Sequence, residues 1–397
     1  MEPVAAQERI TVIDALRGAA LFGILTANMR AFFAPAAYYF NPGDHWQGAD
    51  RLVQFLIDTF VSGKFITIFA TLFGVGFAIQ MERAAARGQS MSFYKRRLVW
   101  LAVFGLVHAL GIWWGDILLP YAICGFFLLL FRGSSQKKVW WWGMGLYWVM
   151  IVPMLAGFIA ALAGHAPHGP TAPTAEKIAE SLRVYASGTV ADIFRMRSRE
   201  WMSMNSAAPM FLPRIVALFL FGLYIWRQGY LRDVAGNIGW WRRARWVGLV
   251  VGVVCNGIVA WIDWFLHPNP MEFFKWPALV AMTLGSAGLP AFSIFYSSTV
   301  VLAFQTPWGR RLLQPFSYVG RMALSNYLLQ SVICTTIFYG YGLGQFGKIG
   351  PAWGVPLTLL VYGVQVPFSA WWLARRRYGP MEWLWRKLTY GRVWGSE

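Results

Sequence analysis

The chain has 397 residues, of which 57% are hydrophobic and only 13% charged, a balance too apolar for a soluble domain and suited to a polytopic membrane protein. Its net charge of +18 does not argue for nucleic acid, because the basic residues form short clusters between apolar runs, as the positive-inside rule expects. Cys124, Cys255 and Cys334 lie in apolar runs without ligand spacing, so neither a disulfide framework nor a metal site is expected.

In chain order, Met1–Val12 is mixed in charge and lacks a basic leader, so the first apolar run is expected to be retained rather than cleaved. A bilayer span takes about 20 apolar residues. The apolar runs predict an all-α fold of about ten transmembrane helices near 14–35, 53–82, 98–114, 117–131, 139–163, 209–227, 246–266, 276–304, 316–341 and 353–374. The third and fourth meet at Gly115-Asp116 and read as a hairpin, and Ser62-Gly63-Lys64 breaks the second. Segment 164–208 separates an N-terminal half, 1–163, from a C-terminal half, 209–397. It starts with a Gly/Pro/Thr-rich linker and continues as an amphipathic stretch, Ala175 to Met204, expected to lie on the outer surface. Lys and Arg crowd alternate connections, notably Arg83–Arg97, Arg227–Arg245 and Arg375–Arg377, which predicts cytoplasmic N- and C-termini.

Four constellations can carry chemistry, because polar groups inside a span normally face a bundle interior or a wet cavity. Asp14 and Arg17 are three apart on one helical face and can pair, and Asn28 sits deep in the same run. The turn-rich Asn41-Pro42-Gly43-Asp44-His45 follows, and His45 is a natural proton acceptor near neutral pH. Lys64, with Asp58 nearby, either binds an anionic group or neutralises that carboxylate. His108 lies inside a span and Asp116 at the hairpin turn, where Asp116 can pair with His108, Lys64 or a ligand, or cap the fourth span. Finally, Arg321 and Ser325 share one face of the Gly320–Ser331 run, while Asn326 and Gln330 share another suited to interhelical amide bonds. Arg321 joins Arg96, Arg97, Arg310 and Arg311 as a candidate phosphate ligand. There is no Gly-rich phosphate loop or nucleophile elbow, and Gly74-Val75-Gly76 suits close helix packing.

Asp14-Ala15-Leu16-Arg17-Gly18 with Asn28, Gly63-Lys64-Phe65, Leu72-Phe73-Gly74, Arg96-Arg97-Leu98, His108, Gly115-Asp116-Ile117-Leu118 with Tyr121-Ala122, the Gly320–Ser331 run and Gly379-Pro380-Met381-Glu382-Trp383-Leu384-Trp385-Arg386 together resemble the YeiB-type bacterial inner-membrane proteins, in order along nearly the whole chain. The opening motif and helix layout also resemble the wider transmembrane acyltransferase superfamily, which includes the lysosomal heparan-glucosaminide acetyltransferase and bacterial glycan O-acyltransferases. That resemblance implies transfer of an acyl group, acetyl above all, from cytoplasmic acyl-CoA to an acceptor at or across the inner membrane, without a metal. In the lysosomal enzyme an Asn late in the first helix and a His in the following segment are implicated; Asn28 matches the first, and His45 matches the second with altered spacing. The glycan enzymes carry a His where this chain has Asn28, a departure.

The expected catalytic set is Asn28, His45, His108 and Asp116. The expected acyl-CoA contacts are Arg17, Lys64, Arg96, Arg97, Arg321, Ser325 and Asn326. The acceptor class, whether glycan, lipid or small molecule, stays open. So does an alternative reading as a transporter or flippase of an anionic or amphipathic solute, which the broken second span and intramembrane charges suit. Trp140-Trp141-Trp142 and Trp240-Trp241 suit the interface of a homodimer as well as a lipid belt.

Overall fold

A computed structural model describes residues 10–40, 45–88, 90–165, 174–206, 208–266 and 276–391. The turn residues 41–44 and linker residues 166–173 singled out above lie outside these. Among the described residues every regular element is helical. The helices are α1 (Thr11–Phe33), α2 (Ala36–Phe40), α3 (Gly48–Phe60), α4 (Lys64–Ala86), α5 (Ser92–Gly111), α6 (Leu118–Leu128), α7 (Gln136–Trp148), α8 (Ile151–Leu162), α9 (Ala175–Ser187) and α10 (Val190–Ser206). They continue with α11 (Ala208–Arg227), α12 (Ile238–Trp261), α13 (Trp276–Ala303), α14 (Pro307–Arg321), α15 (Ala323–Phe338), α16 (Pro351–Arg375) and α17 (Pro380–Tyr390).

Seven segments are long and apolar enough to cross a bilayer, and α6 with its 3-10 extension and α15 are shorter apolar helices. With α5, whose first turns carry Lys95, Arg96 and Arg97, they correspond to the ten expected spans. The breaks are physical. Gly63 adopts φ 80° between α3 and α4, a left-handed turn that L side chains resist. Pro153 sits at the third position of α8; it lacks an N–H and its ring crowds the carbonyl at 149, which separates α7 from α8.

One expected boundary needs correction. Residues 316–321 belong to α14, an amphipathic helix capped by the Thr306 hydroxyl, and the chain breaks at Met322 before α15 begins.

The core joins both halves of the chain into one apolar cluster. Its axis is α1, buried on nearly every side. There α1 and α14 meet backbone to backbone: a Cβ on Gly18 would lie 2.0 Å from the Phe316 carbonyl oxygen, and one on Gly320 1.9 Å from that of Asp14. Only glycine permits this approach, the small-residue packing that membrane helices use in place of a hydrophobic drive. Gly74 packs in the same manner on the Phe219 carbonyl of α11. The amphipathic pair α9–α10 docks at the far end from the start of α1, where the Gly340 amide donates to the Tyr185 carbonyl and Arg197 caps α5 at the Ile112 carbonyl.

Candidate functional site

A cleft of about 500 Å³ opens at the end of the bundle where α1, α5 and α15 begin and α4 ends, and α17 lies across it. The first turns of α1 place Asp14 and Arg17 on its wall, joined at 2.8 Å as their three-residue spacing predicts. Arg97 enters from α5 with its guanidinium 3.5 Å from the Trp385 ring centroid, while the Trp385 indole donates to the Arg97 carbonyl. Arg321 enters from the end of α14, and Arg386 from α17, over the Tyr378 ring at 4.5 Å.

The segment carrying Arg386 is locked by Glu382. Its carboxylate accepts from the Leu324 amide (2.7 Å), the Ser325 amide (3.1 Å) and the Ser325 hydroxyl (2.5 Å), so it caps the exposed N–H groups of α15. Burial raises the Glu382 carboxyl above its ordinary pKa, against the donors that favour its charge.

Inward, the cleft becomes apolar and ends against Leu101, Leu118, Tyr121 and Tyr327. One layer beyond stands a fully buried relay. His108 Nδ1 lies 2.9 Å from Asp116 Oδ1, and His108 Nε2 lies 2.9 Å from Ser331 Oγ. The other Asp116 oxygen accepts the Leu119 amide at 2.8 Å, so Asp116 is both helix cap and histidine partner. A carboxylate only accepts; Nδ1 therefore donates to it, and in the neutral imidazole Nε2 accepts from the Ser331 hydroxyl. The hairpin makes the pair: Gly105 lets α6 approach, because a Cβ there would meet the Leu119 nitrogen at 2.4 Å. Ser331, which the sequence reading did not single out as a site residue, completes the relay from α15, and the Tyr327 ring, 5.1 Å from the imidazole, separates it from the cleft.

The other expected site residues lie elsewhere. Lys64 is buried but donates to the Asp58 carbonyl at 2.8 Å. The Asp58 carboxylate instead receives Arg30 from α1 at 3.0 Å, Gln54 at 2.9 Å and Ser62 at 3.1 Å. Asn28 is half-buried, about 16 Å further along α1 than Arg17 at 1.5 Å per residue, and is not on the cleft wall. His45 stacks on Tyr38 at 3.8 Å. Arg96, Arg310 and Arg311 are exposed and off the wall.

Ser325 is committed to Glu382 and to the Met381 amide. Asn326 is wholly buried against α16, donating to Ser369 at 3.0 Å; Gln330 donates to Gln365, which donates in turn to the Asn326 carbonyl. Arg386 and Glu382, which line the cleft, were read only as part of a motif.

Fold and site together define a multi-pass helical membrane protein with a basic cleft at one end and a buried polar relay at the cleft's inner limit. Residues 225–392 match the family described as "Protein of unknown function (DUF418)". The chain is 36% identical to the uncharacterized protein YxaH of Bacillus subtilis over 98% of its own length and 96% of the relative's. It is 31% identical to the uncharacterized protein YeiB of Escherichia coli over 96% of both chains. An uncharacterized 39.9 kDa protein of Bacillus acidopullulyticus is 30% identical over 99% of this chain and 97% of its own. The chain belongs to this YeiB-type family. No solved structure matches it.

Proposed function

We propose that the protein is an acyltransferase that takes an acyl group, acetyl in the simplest case, from acyl-CoA and passes it to an acceptor at or across the bacterial inner membrane. The basic end of the bundle, by the Lys/Arg asymmetry of its connections, is the cytoplasmic side from which the donor enters. One observation carries the reading: a basic-mouthed cleft narrows to an apolar throat that stops one layer short of an imidazole fixed by a carboxylate. Arg17, Arg97 and Arg321 suit the donor's phosphates, and the throat suits its apolar arm.

In this reaction the Tyr327 ring moves aside and the acceptor's hydroxyl or amine, as it bonds to the thioester carbon, gives its proton to His108 Nε2 by way of the Ser331 hydroxyl that already donates there. The C–S bond breaks, and the proton passes from His108 to the departing sulfur. Asp116 keeps the imidazole in the tautomer that accepts at Nε2. The acceptor is a glycan, a lipid or a small molecule. Asn28 and His45, further along the bundle, suit acceptor contacts on the opposite side.

The test is release of CoA thiol by purified protein in nanodiscs supplied with acetyl-CoA and a membrane extract as acceptor. Release that His108→Gln and Asp116→Asn both abolish supports transfer. Wild-type protein that releases no thiol, with its fold verified by melting, sinks the reading. The transporter alternative draws on the break between α3 and α4. The charges beside that break close on one another and line no large cavity, which favours transfer.

A further inference from the structure

Five side chains on the cleft wall carry a buried polar atom with no hydrogen-bond partner: Tyr94 Oη, Tyr378 Oη, Trp226 Nε1, Arg321 Nε and Gln80 Oε1. Buried polar groups are otherwise almost always satisfied, so each unmet one calls for a cause. All five residues line one cavity, and four of the unmet atoms are donors, which reach an oxyanion there once their side chains turn towards it.

The charges agree. The three carboxylates on the wall are spent elsewhere: Asp14 on Arg17, Glu82 on Arg232, and Glu382 on the start of α15. Arg97, Arg321 and Arg386 have no carboxylate partner among the described residues. Moreover, the charges of Arg17 and Arg386 act on that of Arg97 as like charges. Like charges gathered in a partly desolvated cleft disfavour one another until an anion joins them. Two of the guanidinium planes are held ready, Arg97 on Trp385 and Arg386 on Tyr378.

We infer that the C-terminal segment 378–390 supplies half of a subsite for an ester carrying more than one phosphate, with Arg386 and Tyr378 meeting Arg97 and Arg321 across the cleft. Planar guanidinium forks bind phosphate oxygens bidentately. The subsite shares its cleft with the acyl-donor reading but needs no thioester, so either stands without the other. The tail helix is thus part of the binding site, and Glu382 is the residue that positions it.

The test is calorimetric binding of adenosine 3′,5′-bisphosphate, which has phosphates but no acyl arm, to the full chain in zwitterionic nanodiscs. Saturable binding is expected, weakened by added salt and absent for adenosine. Arg321→Gln and Arg386→Gln should each weaken it about tenfold or more with the melting temperature preserved, while Arg311→Gln, exposed and off the wall, leaves it unchanged. If cardiolipin, a lipid with two phosphates, displaces the bisphosphate when placed in the disc, and does so less in Arg386→Gln, the subsite stands with a lipid headgroup as its phosphate source. No binding by folded protein, or binding that both variants leave intact, overturns the inference.

Discussion

Two charge clusters occupy this bundle, and they differ in how their charges end. Beside the break between α3 and α4, Arg30 meets Asp58, Gln54 and Ser62 also serve Asp58, and Lys64 rests on a carbonyl. In the basic cleft Arg97 and Arg386 lie over aromatic rings and Arg321 stands on the cavity wall. Both clusters contain residue types that a membrane span tolerates poorly, and composition alone would give both the same functional weight. Following each donor to its acceptor separates them: the first cluster is a clasp, the second a receptor.

The sharpest way to break that contrast is to remove Asp58. Asp58→Ala takes the carboxylate from a buried guanidinium, and such losses cost about 3–5 kcal/mol. Unfolding in detergent should show a loss of that order. Arg321→Gln, which removes a charge with no carboxylate beside it, should change stability by less than about 1 kcal/mol. Equal losses for the two variants would erase the distinction between clasp and receptor. Next comes His108, both of whose ring nitrogens are hydrogen-bonded but which stands one layer beyond the inner end of the cleft. If it is the general base, His108→Gln should slow thiol release by about 10²- to 10⁴-fold while the folded fraction measured by size exclusion holds. A structural relay would instead lose folded protein and activity together.

The contrast also explains which parts of the site were legible in the sequence. Asp14–Arg17 and His108–Asp116 are local, one set by helical spacing and the other by a hairpin of eight residues, and both pairs form. Ser331 joins His108 from 223 residues away, and no spacing rule spans that distance. Lys64 and Asp58 are neighbours as expected, yet the carboxylate goes to Arg30, because another helix decides the competition. The ten-span pattern was readable because bilayer thickness fixes helix length. The break at Met322 was not, because the group that caps α15 comes from Glu382, 58 positions beyond Leu324. Local pairs write themselves into the sequence, whereas docking partners do not.

A third cluster, on the opposite end from the cleft, is predicted to respond to pH. Glu200 on α10 accepts from Tyr185 at 2.6 Å and Ser181 at 3.4 Å, and burial raises its pKa to about 7. An acid whose pKa is raised on folding binds its proton more tightly in the folded state. The docked form of α9–α10 therefore loses stability as pH climbs from about 4.5 to about 7 and levels off above that. Amide exchange in α9 and α10 should accelerate over that window, and Glu200→Gln should flatten the response. Exchange that is independent of pH, after correction for intrinsic chemistry, would place the Glu200 charge in solvent-like surroundings.

The smallest expected effect tests the clasp idea where no charge is present. Gln330, Gln365, Asn326 and Ser369 join α15 to α16 through neutral amides and a hydroxyl, all buried. Interhelical hydrogen bonds of this kind contribute only about 0.6 kcal/mol on average, because chains unfolded within a membrane also find partners. A double-mutant cycle with Gln330→Ala and Gln365→Ala should return a coupling energy near that value, far below the Asp58 loss. A coupling of several kcal/mol would mean that neutral amides hold α15 to α16 as firmly as the Arg30–Asp58 pair holds α1 to α3. The start of α15, and with it the Glu382 latch and the arginines of the cleft, would then be positioned from α16. In that case substitutions at Gln365 should weaken bisphosphate binding as well as stability, whereas a coupling near 0.6 kcal/mol leaves the cleft's geometry to Glu382 alone.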